Sequence, residues 1–225
     1  MAGPARLPGP IRAVVFDMDG LLIDSEAAWR DAMMAAATAR GRELPLPMFL
    51  QLLGSAHERS RELLRGHFGP GFDLTDYLQE AGRRAHALMD ARACLKAGVV
   101  ELLDALDRLG LPRAVCTSSG REAVERHLGR SGLLARFDAF ITREGVEHGK
   151  PHPEPYLKAA EALHTPPGAC LALEDSHNGV RSASAAGMVT VMVPDLLEAT
   201  DEMHGLCAHV AESLHEVRAL LTAED

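Results

Sequence analysis

The chain has 225 residues, of which 47% are hydrophobic and 24% charged. That length supports a real core, built as one domain with a large insertion or as two modest ones. A formal net charge of −9 argues against a nucleic-acid surface, which needs a basic stripe, and no run approaches the ~18 apolar residues of a membrane span. Met1 to Pro10 is rich in Pro and Gly, lacks the apolar stretch of a signal peptide, and reads as a loose tail. Ile11–Phe16 is then the first apolar run and the first expected strand. From Ser25 to Cys94 no strand is convincing. Ala27–Arg40, His57–Arg65 and Asp73–Ala93 are helix-like, the last two separated by Gly66, Gly69, Pro70 and Gly71.

Beyond that block, strands and helices alternate. Arg113–Cys116, Cys170–Leu173 and Thr190–Val193 read as buried strands, and Asp138–Ile141 as a weaker one. Val99–Leu109, Glu122–Leu128, Pro153–Leu163 and Gly179–Ala186 carry helical periodicity. The alternation predicts an α/β fold: a Rossmann-like parallel sheet with helices on both faces. The first strand is expected at its centre. The helical block, residues 25–94, is expected to be an inserted α-helical cap, with 10–24 and 95–225 forming the core. Hinges are expected near Asp24–Ser25 and Lys96–Gly98. The four cysteines, Cys94, Cys116, Cys170 and Cys207, form no Cys-x-x-Cys pair. This suits a reducing compartment, and the expected location is cytoplasmic.

Four segments at the ends of apolar strands or soon after them carry chemistry. Asp17 and Asp19 end the first strand, with Gly20 to turn the chain. Two carboxylates so close repel unless a cation joins them, and a hard divalent ion with oxygen ligands suits them. Thr117-Ser118-Ser119-Gly120 offers hydroxyls and backbone N–H groups that suit a phosphate. Lys150, in Gly149-Lys150-Pro151-His152-Pro153, can neutralise an anion as a point charge. Glu174-Asp175 is a second acidic pair at a strand end. Singly, each has an ordinary explanation: a solvated loop, a turn or a helix cap. All four at strand C-termini point to one ligand site.

The same residues carry a resemblance. Asp17-Met18-Asp19-Gly20-Leu21-Leu22-Ile23-Asp24-Ser25-Glu26 resembles the opening motif of the haloacid dehalogenase-like hydrolases, in the group holding β-phosphoglucomutase, sugar-phosphate phosphatases and pseudouridine-5′-phosphatase. Thr117–Gly120, Lys150-Pro151-His152-Pro153 and Leu173–Val180 are similar to its second, third and fourth motifs, and Ala185-Ala186-Gly187-Met188 is typical of the stretch after the fourth. The resemblance implies a nucleophile at Asp17, a general acid and base at Asp19, and phosphate contacts from Thr117, Ser118 and Ser119 opposite Lys150. It implies Mg²⁺ held by the Asp17 carboxylate, the Asp19 backbone carbonyl and Asp175, with Glu174 binding directly or through water. Dehalogenases of the superfamily lack the second aspartate, so Asp19 favours phosphoryl transfer.

The expected reaction is hydrolysis of a small phosphomonoester, of a sugar, polyol or nucleoside-like compound, through an aspartyl-phosphate. Glu26, Trp29 and His57 are the expected substrate contacts from the cap, and no nucleic-acid or membrane partner is expected of what should be a monomer or weak dimer. The alternatives are a β-phosphoglucomutase-type mutase and a catalytically silent ligand-binding relative. Mutases of the group carry a histidine where this chain has Trp29 and an arginine where it has His57, in Gly54-Ser55-Ala56-His57. Both departures favour a phosphatase. Trp29 is equally well explained by packing within the cap.

Overall fold

The computed structural model of the chain describes residues 7–53, 57–91 and 95–222. The first six residues of the expected loose tail, Gly54-Ser55-Ala56, residues 92–94 with the end of the helix expected over Asp73–Ala93 and with Cys94, and Ala223-Glu224-Asp225 lie outside them. The chain divides into two compact units. One joins the residues up to Ile23 with those from Leu95 onward, and the other is Asp24–Cys94.

The first unit is built on a six-stranded, all-parallel sheet. Its strands are β1 (Ala13–Phe16), β2 (Arg113–Cys116), β3 (Ala139–Ile141), β4 (Cys170–Glu174), β5 (Val189–Met192) and β6 (His209–Val210), in the order β3-β2-β1-β4-β5-β6. β1 is central, as expected, because its Ala-Val-Val-Phe run is buried on both faces. Alternate residues build two cores. Ala13, Val15, Ala114, Cys116, Cys170 and Ala172 pack with Tyr156, Ala159 and Ala160 of α7 (Glu154–Ala162) and Ala183 of α8 (His177–Ala185). Val14, Phe16, Val115, Leu171 and Leu173 point to the other face and are as fully buried. Helices α5 (Val99–Leu109) and α6 (Arg121–Arg130) complete the crossovers around β2, and α9 (Asp201–Leu206) and α10 (Leu214–Thr222) follow β5 and β6.

Arg113 opens β2 yet is almost buried. Its guanidinium is satisfied by Asp107 and the carbonyls of Leu103 and Arg136, and its backbone N–H donates to Asp138 Oδ2 at 2.8 Å. The hydrogen bond from Arg113 holds the Asp107 carboxyl below its usual range. A depressed carboxylate contributes stability that is present above its unfolded pKa and lost as pH falls through the folded one. Arg113→Met keeps the apolar stem but removes every side-chain donor. It should lower stability by about 1–3 kcal/mol, measured by urea unfolding at neutral pH, and the deficit should shrink in acid.

The second unit is helical: α1 (Ser25–Thr38), α2 (Leu46–Leu50), α3 (His57–Phe68) and α4 (Leu74–Ala91). The alanines of α1 let it approach α4 closely, through Ala28, Ala32, Ala85 and Met89. Tyr77 donates to the Met33 carbonyl at 3.1 Å and packs on Phe68 and Phe72. Gly66, expected from the sequence to separate two helices, lies inside α3, which continues to Phe68. One glycine costs a helix only about 1 kcal/mol, and the buried Leu64 and Phe68 on either side outweigh that.

Candidate active site

The parallel register builds the site. Phe16 is level with Leu173 and Val115, so the next residue of each strand, Asp17, Glu174 and Cys116, ends three adjacent strands side by side. The Asp17 N–H donates to the Leu173 carbonyl at 3.0 Å, and Thr117 N–H to Ile141 at 2.9 Å, which fixes both residues at the C-terminal sheet edge. Gly20 turns the chain there with φ 87°, and its N–H donates to Ile23.

Lys150 reaches this edge from the turn before α7. Its Nζ donates to Asp17 Oδ1 at 2.6 Å, to Glu174 Oε1 at 2.5 Å and to the Cys116 carbonyl at 2.9 Å. The three side chains are 6%, 9% and 0% exposed for Lys150, Asp17 and Glu174, so these ion pairs are shielded from solvent. Burial pushes the Asp17 carboxyl well up; Lys150 opposes the shift, and Glu174 and Asp19 add to it. Burial works against the charge of Lys150, but Asp17 and Glu174 outweigh it and hold the ammonium well above its usual range. Burial raises the Cys116 thiol to about 12, so it is an inert neighbour.

Asp19 lies at the same edge. Its Oδ2 accepts from Ser119 Oγ at 2.7 Å and from Thr117 Oγ1 at 3.4 Å. Thr117 Oγ1 in turn accepts the Ser119 N–H at 3.0 Å, which closes the Thr117–Ser119 turn around the acid. Ser118 stays exposed. Asp175 is buried beside Glu174, and carboxylate oxygens of Asp17, Glu174 and Asp175 lie within 4.8 Å of one another.

A family model described as haloacid dehalogenase-like hydrolase matches residues 11–187. The chain belongs to the haloacid dehalogenase-like hydrolases. It is 32% identical over 222 residues to hexitol phosphatase B of Escherichia coli (strain K12), covering 97% of each chain. It is 29% identical over 218 residues to a phosphorylated carbohydrates phosphatase of Thermotoga maritima, covering 95% of this chain and 91% of that one. Among solved structures it is similar to CbbY from Rhodobacter sphaeroides in complex with phosphate, at 27% identity and a TM-score of 0.77, covering 92% of this chain and 96% of that one.

Two residues of this haloacid dehalogenase-like hydrolase set the place of Glu174, one by a hydrogen bond and one by leaving it room, and sequence reasoning gave neither a role. Tyr156, fully buried on α7, donates its hydroxyl to Glu174 Oε1 at 2.7 Å. Burial, and then Glu174, raise that phenol well above its usual range, so it remains a donor. Its aromatic, helix-period position reads as core, and nothing local in the chain signals the hydroxyl's partner. Gly179 belongs to the fourth motif, where the sequence alone gives no reason for a glycine. A Cβ there would lie 1.9 Å from Glu174 Cδ. Glu174 has no room to move, because Lys150, Tyr156, Ser176 and the N–H groups of Asp175 and Ser176 grip it. Gly179→Ala should cost about 1–3 kcal/mol from overpacking and roughly 10²-fold in kcat from the displaced acid. Thermal melts and initial rates check the two effects separately.

The remaining expected site residues belong to the helical unit of this hydrolase. Glu26 and Trp29 lie on α1, and His57 begins α3. The Trp29 indole is partly buried against α4, edge-on to His86 at 6.2 Å and beside Gly82. Among the described residues, no helix is long and apolar enough to cross a membrane.

Proposed function

We propose that this hydrolase is a Mg²⁺-dependent phosphatase that cleaves a small phosphorylated metabolite, of sugar, polyol or nucleoside-like type, through an aspartyl-phosphate on Asp17. The observation that carries the proposal is the shielded Lys150 ion pair with Asp17 and Glu174, next to Asp19 and Thr117. Lys150 opposes the upward pull of burial on Asp17 and so favours its carboxylate form. An Asp17 carboxylate oxygen attacks phosphorus as the ester oxygen departs. Asp19, steered by Ser119, gives that oxygen a proton. Asp19 then takes a proton from water, whose oxygen attacks the aspartyl-phosphate and releases inorganic phosphate with Asp17 restored. Thr117 and the Ser118 N–H bind phosphoryl oxygens.

The donor set fits Mg²⁺. It is all oxygen, and one lysine faces a group of buried carboxylates, which leaves a surplus of negative charge. Asp17, Asp175 and the Asp19 carbonyl would hold the ion. Glu174, whose carboxylate already accepts from five donors, would act through water. When bound, the ion offsets the charge of the carboxylates and of the phosphoryl oxygens.

Hexitol phosphatase B and the Thermotoga maritima carbohydrate phosphatase are similar along nearly the whole chain, which supports a sugar or polyol phosphate as substrate. We assign the choice among these to Glu26, Trp29 and His57 in the helical unit, read as a cap. Cys116, Cys170 and Cys207 are free thiols, which suits a reducing, cytoplasmic setting. The test is phosphate release from purified protein across hexitol, hexose, deoxysugar and nucleoside monophosphates. At least one should be hydrolysed, and EDTA should abolish the release with recovery on adding Mg²⁺. No release from any of them, or isomerisation of a β-hexose 1-phosphate that outpaces release, would refute the reading.

A further inference from the structure

His148 and His152 stand two residues to either side of Lys150, and the catalytic reading uses neither. Both are exposed, and their rings are tilted against each other with centroids 4.6 Å apart. Glu154, the first residue of α7, completes the group: one ligand atom from each of the three lies within 4.8 Å of the others. His148 Nδ1 is 3.2 Å from Glu154 Oε2. That is already close to the separation of two donors on one tetrahedral ion, roughly 3.3 Å for bonds near 2 Å. His152 Nδ1 accepts the Glu154 N–H at 3.2 Å, so a lone pair of that ring is turned toward the same corner.

The turn is held in this shape without any ion. The Glu154 carboxylate accepts the N–H groups of Glu147 and His148, both at 2.9 Å. His152 N–H donates to Gly149, and Ser182 Oγ to the His152 carbonyl at 2.6 Å. The hydrogen bond from Lys158, with those from the two N–H groups, draws the Glu154 pKa down to about 2, so its carboxylate is charged at any physiological pH. Two imidazoles and a carboxylate select borderline transition ions rather than Mg²⁺, which prefers oxygen alone. Among the described residues, the thiols that would compete for such an ion are held protonated by burial, which raises Cys116 to about 12 and Cys170 and Cys207 to about 11.

We propose that His148, His152 and Glu154 form a second metal site, for a transition ion of the Zn²⁺ class, on the turn that carries Lys150. The ion takes the place of the His148 Nδ1 proton, which is released to solvent, and of the Glu154 N–H at His152. The two sites then differ in kind, oxygen donors at the sheet edge and imidazoles on the outer turn.

The test is calorimetric titration of the full chain with Zn²⁺, with Mg²⁺ in excess to occupy the oxygen cluster. Wild type should bind Zn²⁺, and the melting temperature should rise with it. His148→Ala and His152→Ala should each weaken binding at least ~10-fold, the lower end of what losing even a ligand's hydrogen-bond partner costs. His204→Ala should bind as wild type does. Co²⁺ in place of Zn²⁺ should give a visible absorption band that both loss variants lack. Failure of folded wild type to take up Zn²⁺, or affinity in His148→Ala and His152→Ala equal to that of wild type, would overturn the proposal. The readout is metal binding, so its failure is distinct from failure of the phosphatase reading.

Discussion

Asp17→Asn should abolish phosphate release, by at least about 10⁴-fold, the scale on which loss of a nucleophile acts in hydrolases, while leaving the fold intact. The amide is isosteric and its Oδ1 can still accept from Lys150, which keeps Glu174 and the Cys116 carbonyl as partners. It removes a charge whose dominant cost is burial. A carboxyl with a raised folded pKa contributes stability that is complete below its unfolded value, near ~3.9, and lost as pH rises through the folded value. At neutral pH without metal, the native chain therefore stands on the unfavourable side of that titration, and Asp17→Asn does not. Its metal-free melting temperature should equal or exceed that of wild type, and the gap should close toward pH 4. Thermal melts over that range, paired with phosphate assays, check both halves. A variant that melts well below wild type would mean that the Asp17–Lys150 pair is a net stabiliser.

The elements that position this site were legible because their signals are local. β1, and β4 as far as Leu173, are uninterrupted apolar runs, and burial on both faces is what such runs require. The start of β1 was less so. Ile11 and Arg12 extend the apolar reading of β1, but the pairing with β4 begins at Ala13. β6 is two residues long and one is His209, so only its register against Val191 and Met192 makes it a strand. α2 is a single turn and a half after Pro45, with too few residues to show a period. α9 did carry a readable start: Thr200 caps Met203 ahead of two acids.

The site follows the same division. Asp17, Asp19, Thr117, Lys150 and Glu174 could be named because strand ends are where parallel sheets bind ligands. That Lys150 bridges Asp17 and Glu174, and that Ser119 rather than Thr117 makes the shorter contact to Asp19, depends on packing between segments 24 to 133 residues apart. Tyr156 and Gly179 act through Glu174, and no spacing rule relates them to it. Both are consequences of how α7 and α8 seat against the sheet.

Lys150→Met should damage stability and activity together, in contrast to Asp17→Asn. The methionine fills much the same volume beside the Tyr156 ring, over which Nζ lies at 5.1 Å. It leaves Asp17 and Glu174 buried at this edge without the ammonium that both of them share. Removing one member of a buried ion pair costs about 3–5 kcal/mol, because the remaining charge is stranded. Asp17 would relieve the stranding by taking a proton, since Lys150 is what opposes the upward pull of burial and of the neighbouring acids. A protonated Asp17 is no nucleophile, so phosphate release at neutral pH should fall at least about 10³-fold, and the acid limb of the pH–rate profile should move upward. Lys150→Arg keeps the charge but brings a planar fork to a slot shaped by one carbonyl and two carboxylates, and should recover stability better than rate. Mg²⁺ separates the electrostatic account from simple loss of packing. A cation that binds only the folded state stabilises it by mass action, and the carboxylates stranded by Lys150→Met have more to gain from it. The melting temperature of Lys150→Met should therefore rise more steeply with Mg²⁺ than that of wild type. Equal slopes would assign the defect to lost packing of the lysine stem instead.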